Sequence, residues 1–493
     1  MIVQDGWQEV FSFGGQERIV MEAARAQLTH DAGLLPVRAL DERLGLTAAF
    51  AAALNDPRDP ELSAHTALEM VRQRVYGILA DYEDQNDHDT LRTDPIFKLI
   101  VGRRADGAAL ASQPALSRFE NGIDIPSLKR LRQLFIDQFI ASFDRPPRHL
   151  VFDLDAVADP AHGHQQLTFW HNYYDQNQYL PLVVTCATNG LVVMLSLRHG
   201  SAHAALGADD DLEYLVKRVR AAWPGVLVYV RGDAAFGIPS LFDVCERQNV
   251  FYAFGLNSNK VLERWTEPLL AKAVAAWEAE QAGARAEGRA AVPARRFEGF
   301  WYQAESWGGQ RWVVAKAEAN AEGTNRRFVI SNRPGAWFSA EATYDEYAGR
   351  GESENRNKEI KLGCAMGRLS DHRFVANYFR LYLSGMALNL LARFRQAVRA
   401  PEAAQAVAEE VPAEALAGRQ RQRYFRLRRQ QDVLGRAQPD TWRRLVIKVA
   451  AEVVVSARRA LVRLSGCWPH LEELQKMCQR LHRYLGGPAH APT

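Results

Sequence analysis

The sequence predicts an α/β fold: a mixed sheet with helices on its faces, a β-rich insertion, and helical regions at both ends. Three observations carry that expectation. Residues 1 to about 145 place apolar residues at helical spacing. From 148 the pattern changes to short strands alternating with helices, and after 290 three alternating segments follow an alanine-rich stretch. The chain has 493 residues, room for roughly two to four domains.

In the first region, TALEMVRQRVYGILADY carries Leu68, Val71, Val75, Ile78 and Leu79 at helical spacing. Residues 110–143 divide into two helices. Ser112 is placed to cap the first and Pro114 fits its first turn; NGID breaks the pattern, and Pro126 opens the second. Gln113, Ser117 and Arg118 lie on the first helix, which could enter a DNA groove, although such a helix more often packs in a bundle.

HLVFDLD then reads as a strand ending in two carboxylates, and LPLVVTCATNGLVVMLSLRHG as a hairpin turning at Asn189-Gly190. ADDDLEYLVKRVRAAWP is a helix begun by acids and ended by Pro224. GVLVYVRGD is a buried strand ending at Asp233, GIPSLFDVCERQN a helix and VFYAFGL a strand. Residues 270–291 read as an alanine-rich helix or linker. RRFEGFWYQAES, GQRWVVAKAEA and RRFVISN read as a small antiparallel sheet of their own, with Trp301, Trp307 and Trp312. Tryptophan in a sheet usually packs across strands, but one on an exposed face can stack on a base.

An apolar helix at 373–398 is followed by an Ala/Glu/Pro linker at 400–417. The segment 443–466 reads as a β-hairpin turning at SARR, or as a helix, and HLEELQKMCQRLHRYL closes the chain as a helix ended by Gly486-Gly487-Pro488. The resulting divisions are 1–145, 146–258, 259–325, 326–399 and 400–493.

Composition narrows the function. No stretch approaches ~18 apolar residues, so no membrane span is expected. The N-terminus lacks the basic start and apolar run of a signal peptide. Five scattered cysteines without a CxxC pair argue against a disulfide framework or zinc cluster, and a reducing cytoplasm is expected. The net charge is only +3, but RQRQRYFRLRR at 419–429 holds six arginines and no acid, and Arg436, Arg443, Arg444 and Lys448 follow. Such a cluster, with Tyr424 and Phe425 inside it, suits a phosphate backbone or forms a solvated helix face.

Two strands end in acids. Asp153 and Asp155 share a face because a strand has period two, and Asp233 ends the other strand. Neighbouring carboxylates repel and call for a cation or a proton. Glu354 is the third acid. Hard oxygen ligands without His or Cys favour Mg²⁺ or Mn²⁺. In YAGRGESENRNKEIK, the residues Tyr347, Arg350, Glu354 and Lys361 fall within about 60° on an ideal helix, a stripe that is either a salt-bridged surface or the wall of a site. Gly349 and Gly351 weaken that helix at its start.

These residues resemble the DDE transposases of bacterial insertion sequences, in the group with a Tyr-Arg-Glu-Lys signature. Tyr347, Arg350, Glu354 and Lys361 match that spacing without a gap, a pattern expected by chance at about 1 in 10⁵ positions. VRGDAAFG resembles the segment with the second Asp, giving Asp233, and DLDAVADPAHGHQ the segment with the first, giving Asp155 with Asp153 as the alternative. TDPIFKLIVGR and LASQPALSRFEN resemble N-terminal segments of one subgroup.

The resemblance implies an RNase H-like mixed sheet flanked by helices, with a β-rich insertion before the Glu-bearing helix. It implies that Asp155, Asp233 and Glu354 are catalytic and bind two Mg²⁺, with Mn²⁺ as a substitute. It further implies cleavage at terminal inverted repeats and joining of the 3′-OH to target DNA, with DNA as partner and a homodimer in the synaptic complex. Tyr347, Arg350 and Lys361 would hold the DNA end, Trp307 would stack on a flipped base, and Arg118 would contact DNA. The alternative on the same scaffold is a metal-dependent DNA nuclease or resolvase.

Overall fold

The computed structural model describes residues 8–11, 19–23, 26–59, 61–333, 335–336, 338–399, 432–457 and 459–486. The linker at 400–417 and the arginine-rich segment 419–429 lie outside the described residues.

The N-terminal region is not wholly helical. Strands β1 (Gln8–Phe11) and β2 (Ile19–Glu22) form a ribbon, and β3 (Leu28–Thr29) pairs elsewhere. Among the described residues seven helices follow between Leu34 and Ile140. The helix Ala67–Leu79 begins with a capping box, in which Thr66 accepts from the Glu69 amide and Glu69 accepts from the Thr66 amide. Helices Gln113–Asn121 and Ile125–Ile140 stand where the sequence places them, with Pro114 and Pro126 in their first turns. Asp124 rather than Ser112 supplies a side-chain cap there.

The central sheet takes β4 (His149–Ala156), β8 (Leu182–Cys186), β9 (Val192–Ser196), β10 (Leu227–Gly232) and β11 (Phe251–Leu256) from the expected strands. Between β4 and β8 a small sheet is built from β5 (Asp159–Pro160), β6 (Phe169–His171) and β7 (Gln176–Tyr179). The insertion supplies β12 (Ala294–Tyr302), β13 (Arg311–Asn320) and β14 (Gly323–Ser331). The expectation of a separate sheet for these three is corrected. They pair antiparallel among themselves, but β14 also pairs with β11, giving one eight-stranded sheet in the order β12-β13-β14-β11-β10-β4-β8-β9. Strand β10 runs parallel to β4 and β11, and the other neighbours are antiparallel.

Period-two alternation divides the sheet between two layers. Phe152 and Leu154 of β4, with Val228 and Val230 of β10, enter a core shared with helices Ala208–Ala222, Pro239–Arg247 and Glu267–Ala286. The opposite face carries two separate packing zones. Over β8 and β9, the N-terminal helices and the long helix Phe374–Ala397 share one core. That helix is apolar on nearly every side because it is buried on nearly every side. Over β11, β13 and β14, helix Ala340–Ala348 buries Tyr344 against Ala253, Val314 and Val329. Between the two zones, helix Gly351–Gly363 crosses β4 and β8.

The C-terminal hairpin reading holds. Strands β15 (Ala451–Val455) and β16 (Ala460–Leu464) pair, and β15 also pairs with β3; helix Leu471–Leu485 follows. Two basic residues expected to face phosphate are instead structural. Arg443 is buried and donates to the carbonyls of Ile78, Leu79 and Gly363. Lys448 pairs with Asp31 at 3.0 Å and lies over the Tyr82 ring.

Candidate active site

Strands β4 and β10 are parallel neighbours in register, with Gly232 opposite Leu154. One residue on, Asp155 and Asp233 therefore stand side by side at the same end of the sheet. Asp233 caps a short 3-10 turn, its Oδ1 accepting from the Ala235 amide at 2.9 Å. Asp155 Oδ1 accepts from the Ala156 amide at 3.0 Å, and its Oδ2 accepts from Asn357 Nδ2 at 2.6 Å. Burial pushes the Asp155 carboxyl up to about 6; the Asp233 charge adds to this, and Arg350, Ala156 and Asn357 oppose it.

Asp153 lies on the same face of β4 but is fully engaged. Arg231 grips it with two hydrogen bonds, at 2.6 and 2.8 Å, and uses its remaining nitrogen on the Glu346 carbonyl at 2.8 Å. Of the two acids on β4, Asp155 is the one that opens onto the cleft.

The Tyr-Arg-Glu-Lys stripe is built on two helices. Tyr347 lies in the last turn of Ala340–Ala348, Gly349 and Arg350 follow in right-handed helical conformation, and Gly351–Gly363 carries Glu354 and Lys361. A Cβ on Gly349 would lie 2.5 Å from Arg231 Nη1, so a larger residue there would have to displace the guanidinium that grips Asp153. The Tyr347 hydroxyl occupies space that a Cβ on Gly255 would enter, next to the turn that follows Asp233.

Arg350 is where the acids converge. Its guanidinium is 3.6 Å from Asp155 and 3.4 Å from Glu354, and lies over the Tyr347 ring at 6.0 Å. Burial opposes its charge, yet Tyr347, Asp155, Asp233 and Glu354 together hold its pKa above the ordinary value. Lys361 donates to the Ala158 carbonyl at 2.5 Å. Beside it Asp159 is wholly buried, and neither carboxyl oxygen has a hydrogen-bond partner among the described residues. Burial pushes the Asp159 carboxyl up to about 8, opposed by the Lys361 charge. The helix is anchored on its other face, where Glu359 pairs with Arg356 at 2.6 Å and with Arg395 at 3.1 Å.

Two expected contacts fall elsewhere. Trp307 is buried, with its ring edge-on to Phe242 and Tyr302, so the expectation that it stacks on a base is corrected in favour of core packing. Trp301 is the exposed tryptophan of the inserted strands. Arg118 is exposed at the mouth of a cavity of about 490 Å³ lined by Arg58, His65, Met70 and Phe119, away from the paired carboxylates. Two residues of the site were missed in the sequence. Asn357 lies three residues after Glu354, on the same helical face, and Arg231 lies two before Asp233.

Among the described residues, no three acid, histidine or cysteine side chains are gathered closely enough to hold a metal ion as they stand. Asp155 and Asp233 come together, while exposed Glu354 leans on Arg350. The pair fits a hard divalent cation: all donors are oxygen, and a bound cation would relieve the burial and repulsion that raise the Asp155 pKa. Among the described residues no helix is long and apolar enough to cross a membrane.

A family model described as "transposase DDE domain group 1" matches residues 11–413, most of the chain. No curated protein matches it.

Proposed function

The chain belongs to the transposase DDE domain group 1 family, and from that membership we propose that it cuts DNA at the ends of a mobile element and joins the freed 3′-hydroxyl to target DNA. The central five strands, in the order β9-β8-β4-β10-β11 with β4 and β10 parallel, support an RNase H-like reading of the catalytic core. The observation that carries the proposal is the placement of Asp155 and Asp233 at adjacent parallel strand ends beneath a helix presenting Arg350, Glu354 and Asn357.

In this reading Asp155, Asp233 and Glu354 hold Mg²⁺ or Mn²⁺. Bound divalent ions supply Lewis-acid activation of the attacking hydroxyl and charge stabilisation at the leaving oxygen. The chain's own residues do the rest. Asn357 orients the Asp155 carboxylate through its 2.6 Å hydrogen bond to Oδ2. Arg350 neutralises the acid cluster and, on exchanging its carboxylates for a phosphate, offers a bidentate clamp; Lys361 adds a point charge. Tyr347 lines the cleft wall above Gly255. Two DNA ends held together imply a homodimer.

A strand-transfer assay with paired terminal inverted repeats and Mg²⁺ tests this. The expected result is cleavage followed by joining, both lost in Asp233→Asn. Cleavage that never leads to joining would make the chain a nuclease instead.

A further inference from the structure

Residues paired across a sheet share a face, and that pairing ties the cleft to the inserted strands. One row runs through Asp153, Arg231, Ala253, Ser331, Trp312 and Trp301. Two residues toward the carboxyl end of β4, the next row on the same face holds Asp155, with Gly255, Val329 and Val314. Asp233 lies in that row, just past the end of β10. One row further, the inserted strands present Arg327 and Lys316, and the row beyond that Glu318 and Arg295. These four residues therefore lie on the face that carries Asp155, displaced toward the same end of the sheet. At a strand spacing of ~4.8 Å and a rise of ~3.3 Å per residue, Arg327 stands about 10 Å to the side of Asp233 and about 7 Å further out.

Neighbouring arginines of β14 meet opposite fates. On the far face Arg326 is matched by Glu267 at 2.9 Å. On the cleft face three cations share one carboxylate. Glu318 pairs with Arg295 at 2.7 Å and with Lys316 at 2.8 Å. Arg327 is exposed and makes no hydrogen bond or ion pair among the described residues. The cations crowd one another: burial lowers the Lys316 pKa, Glu318 opposes this, and the charges of Arg295 and Arg327 add to the lowering. Lys316 Nζ also lies over the Tyr344 ring at 5.3 Å, on the helix that leads into the Arg350–Glu354 stripe. Positive charge in excess, mounted on a sheet face beside an acidic cleft, suits an anion long enough to reach past that cleft.

We propose that Arg327, Lys316 and Arg295 form a holding surface for the phosphate backbone of the duplex whose scissile strand enters the Asp155–Asp233 cleft. The inference rests on the transposase reading. A duplex carries one negative charge per ~1.7 Å, and the distance from cleft to cluster is well under one helical turn of ~34 Å. Arg327 has its whole guanidinium fork to offer, whereas Arg295 and Lys316 share their charge with Glu318. Contacts of this kind fix where a duplex lies and carry no base information.

The test measures binding of a labelled terminal-repeat duplex by the full chain across salt concentrations, in EDTA so that no strand is cut. Arg327→Ala should bind about fivefold more weakly at low salt and reduce the slope of log affinity against log salt by about one. Arg327→Lys should restore that slope, because lysine keeps the point charge. Arg296→Ala removes an exposed arginine from the opposite face of the inserted strands and should match wild type. A single neutral methylphosphonate, placed within one helical turn of the cut site, should weaken wild type and leave Arg327→Ala unaffected. An unchanged slope in Arg327→Ala, an equal loss in Arg296→Ala, or no phosphate coupled to Arg327 overturns the surface and leaves the transposase reading standing. A wild-type chain that binds no duplex at any salt overturns both.

Discussion

Asp153 and Asp155 leave the same face of one strand, two residues apart, into opposite surroundings. Asp153 is closed in and held at both oxygens by Arg231. Asp155 shares Arg350 with Glu354, sits against a second carboxylate, and carries a raised pKa. The contrast extends to two regions of the molecule. In the seams between layers two buried acids are each matched by guanidinium groups: Glu120 lies between Arg74 and Arg380, and Glu359 between Arg356 and Arg395. In the cleft Asp155, Asp233, Asp159 and Glu354 face chiefly Arg350 and Lys361. Matched charge serves the fold, and excess charge of one sign is left where a ligand brings the counter-charge.

The sharpest way to break this comparison is Asp155→Asn. Cleavage should fall by about 10³-fold or more, ~4 kcal/mol in the barrier. The melting temperature should hold or rise, because a neutral amide no longer repels Asp233. A large loss of stability would put Asp155 in the same class as Asp153.

Arg231→Ala tests the matched side. It strands a buried carboxylate and should cost about 3–5 kcal/mol in urea unfolding, with part of that loss restored by adding Asp153→Asn. A third test uses pH. The folded chain holds the Asp159 proton up to about 8, whereas an unfolded aspartate loses it near ~3.9. Stability from this group is therefore full below about pH 4 and lost as pH rises through 8. Asp159→Asn should flatten that decline, gaining on the order of 1–2 kcal/mol at alkaline pH and little in acid, read from melts across the range. The smallest effect is expected at Glu354. It is exposed and one member of an i,i+4 pair, so Glu354→Gln should move stability by less than about 0.5 kcal/mol while abolishing cutting. A drop of several degrees in Tm would make it a fold residue.

Much of this was legible in the sequence where the signal is local. Strands β4, β8, β9, β10 and β11, the Asn189-Gly190 turn and the Pro-opened helices follow from periodicity and turn chemistry. The side-by-side placement of Asp155 and Asp233 was legible from their positions at strand ends. What was not legible depends on long-range pairing. Nothing local to β14 says that it continues past β13 onto β11. The choice between Asp153 and Asp155 needs the register that sets Arg231 opposite Asp153. Trp307 looks turn-borne in sequence, and only the fold places Phe242 and Tyr302 around it.

The two margins of the large sheet remain. An unpaired strand is a ready template for another chain, and this sheet closes its margins by different means. At one side β9 runs beneath helix Phe374–Ala397, which supplies the missing partner with side chains. Asn389 accepts from the Val192 amide and donates to the Val192 carbonyl, both at 2.8 Å, while the hydroxyls of Tyr378 and Tyr382 donate to the Leu195 carbonyl. The helix imitates a ninth strand. At the other side the inserted strands carry the margin outward to β12, where exposed Arg296 and Glu298 place charge on the edge strand. Asn389 thus satisfies a buried strand backbone, and its replacement by leucine would leave the Val192 amide and carbonyl without that partner.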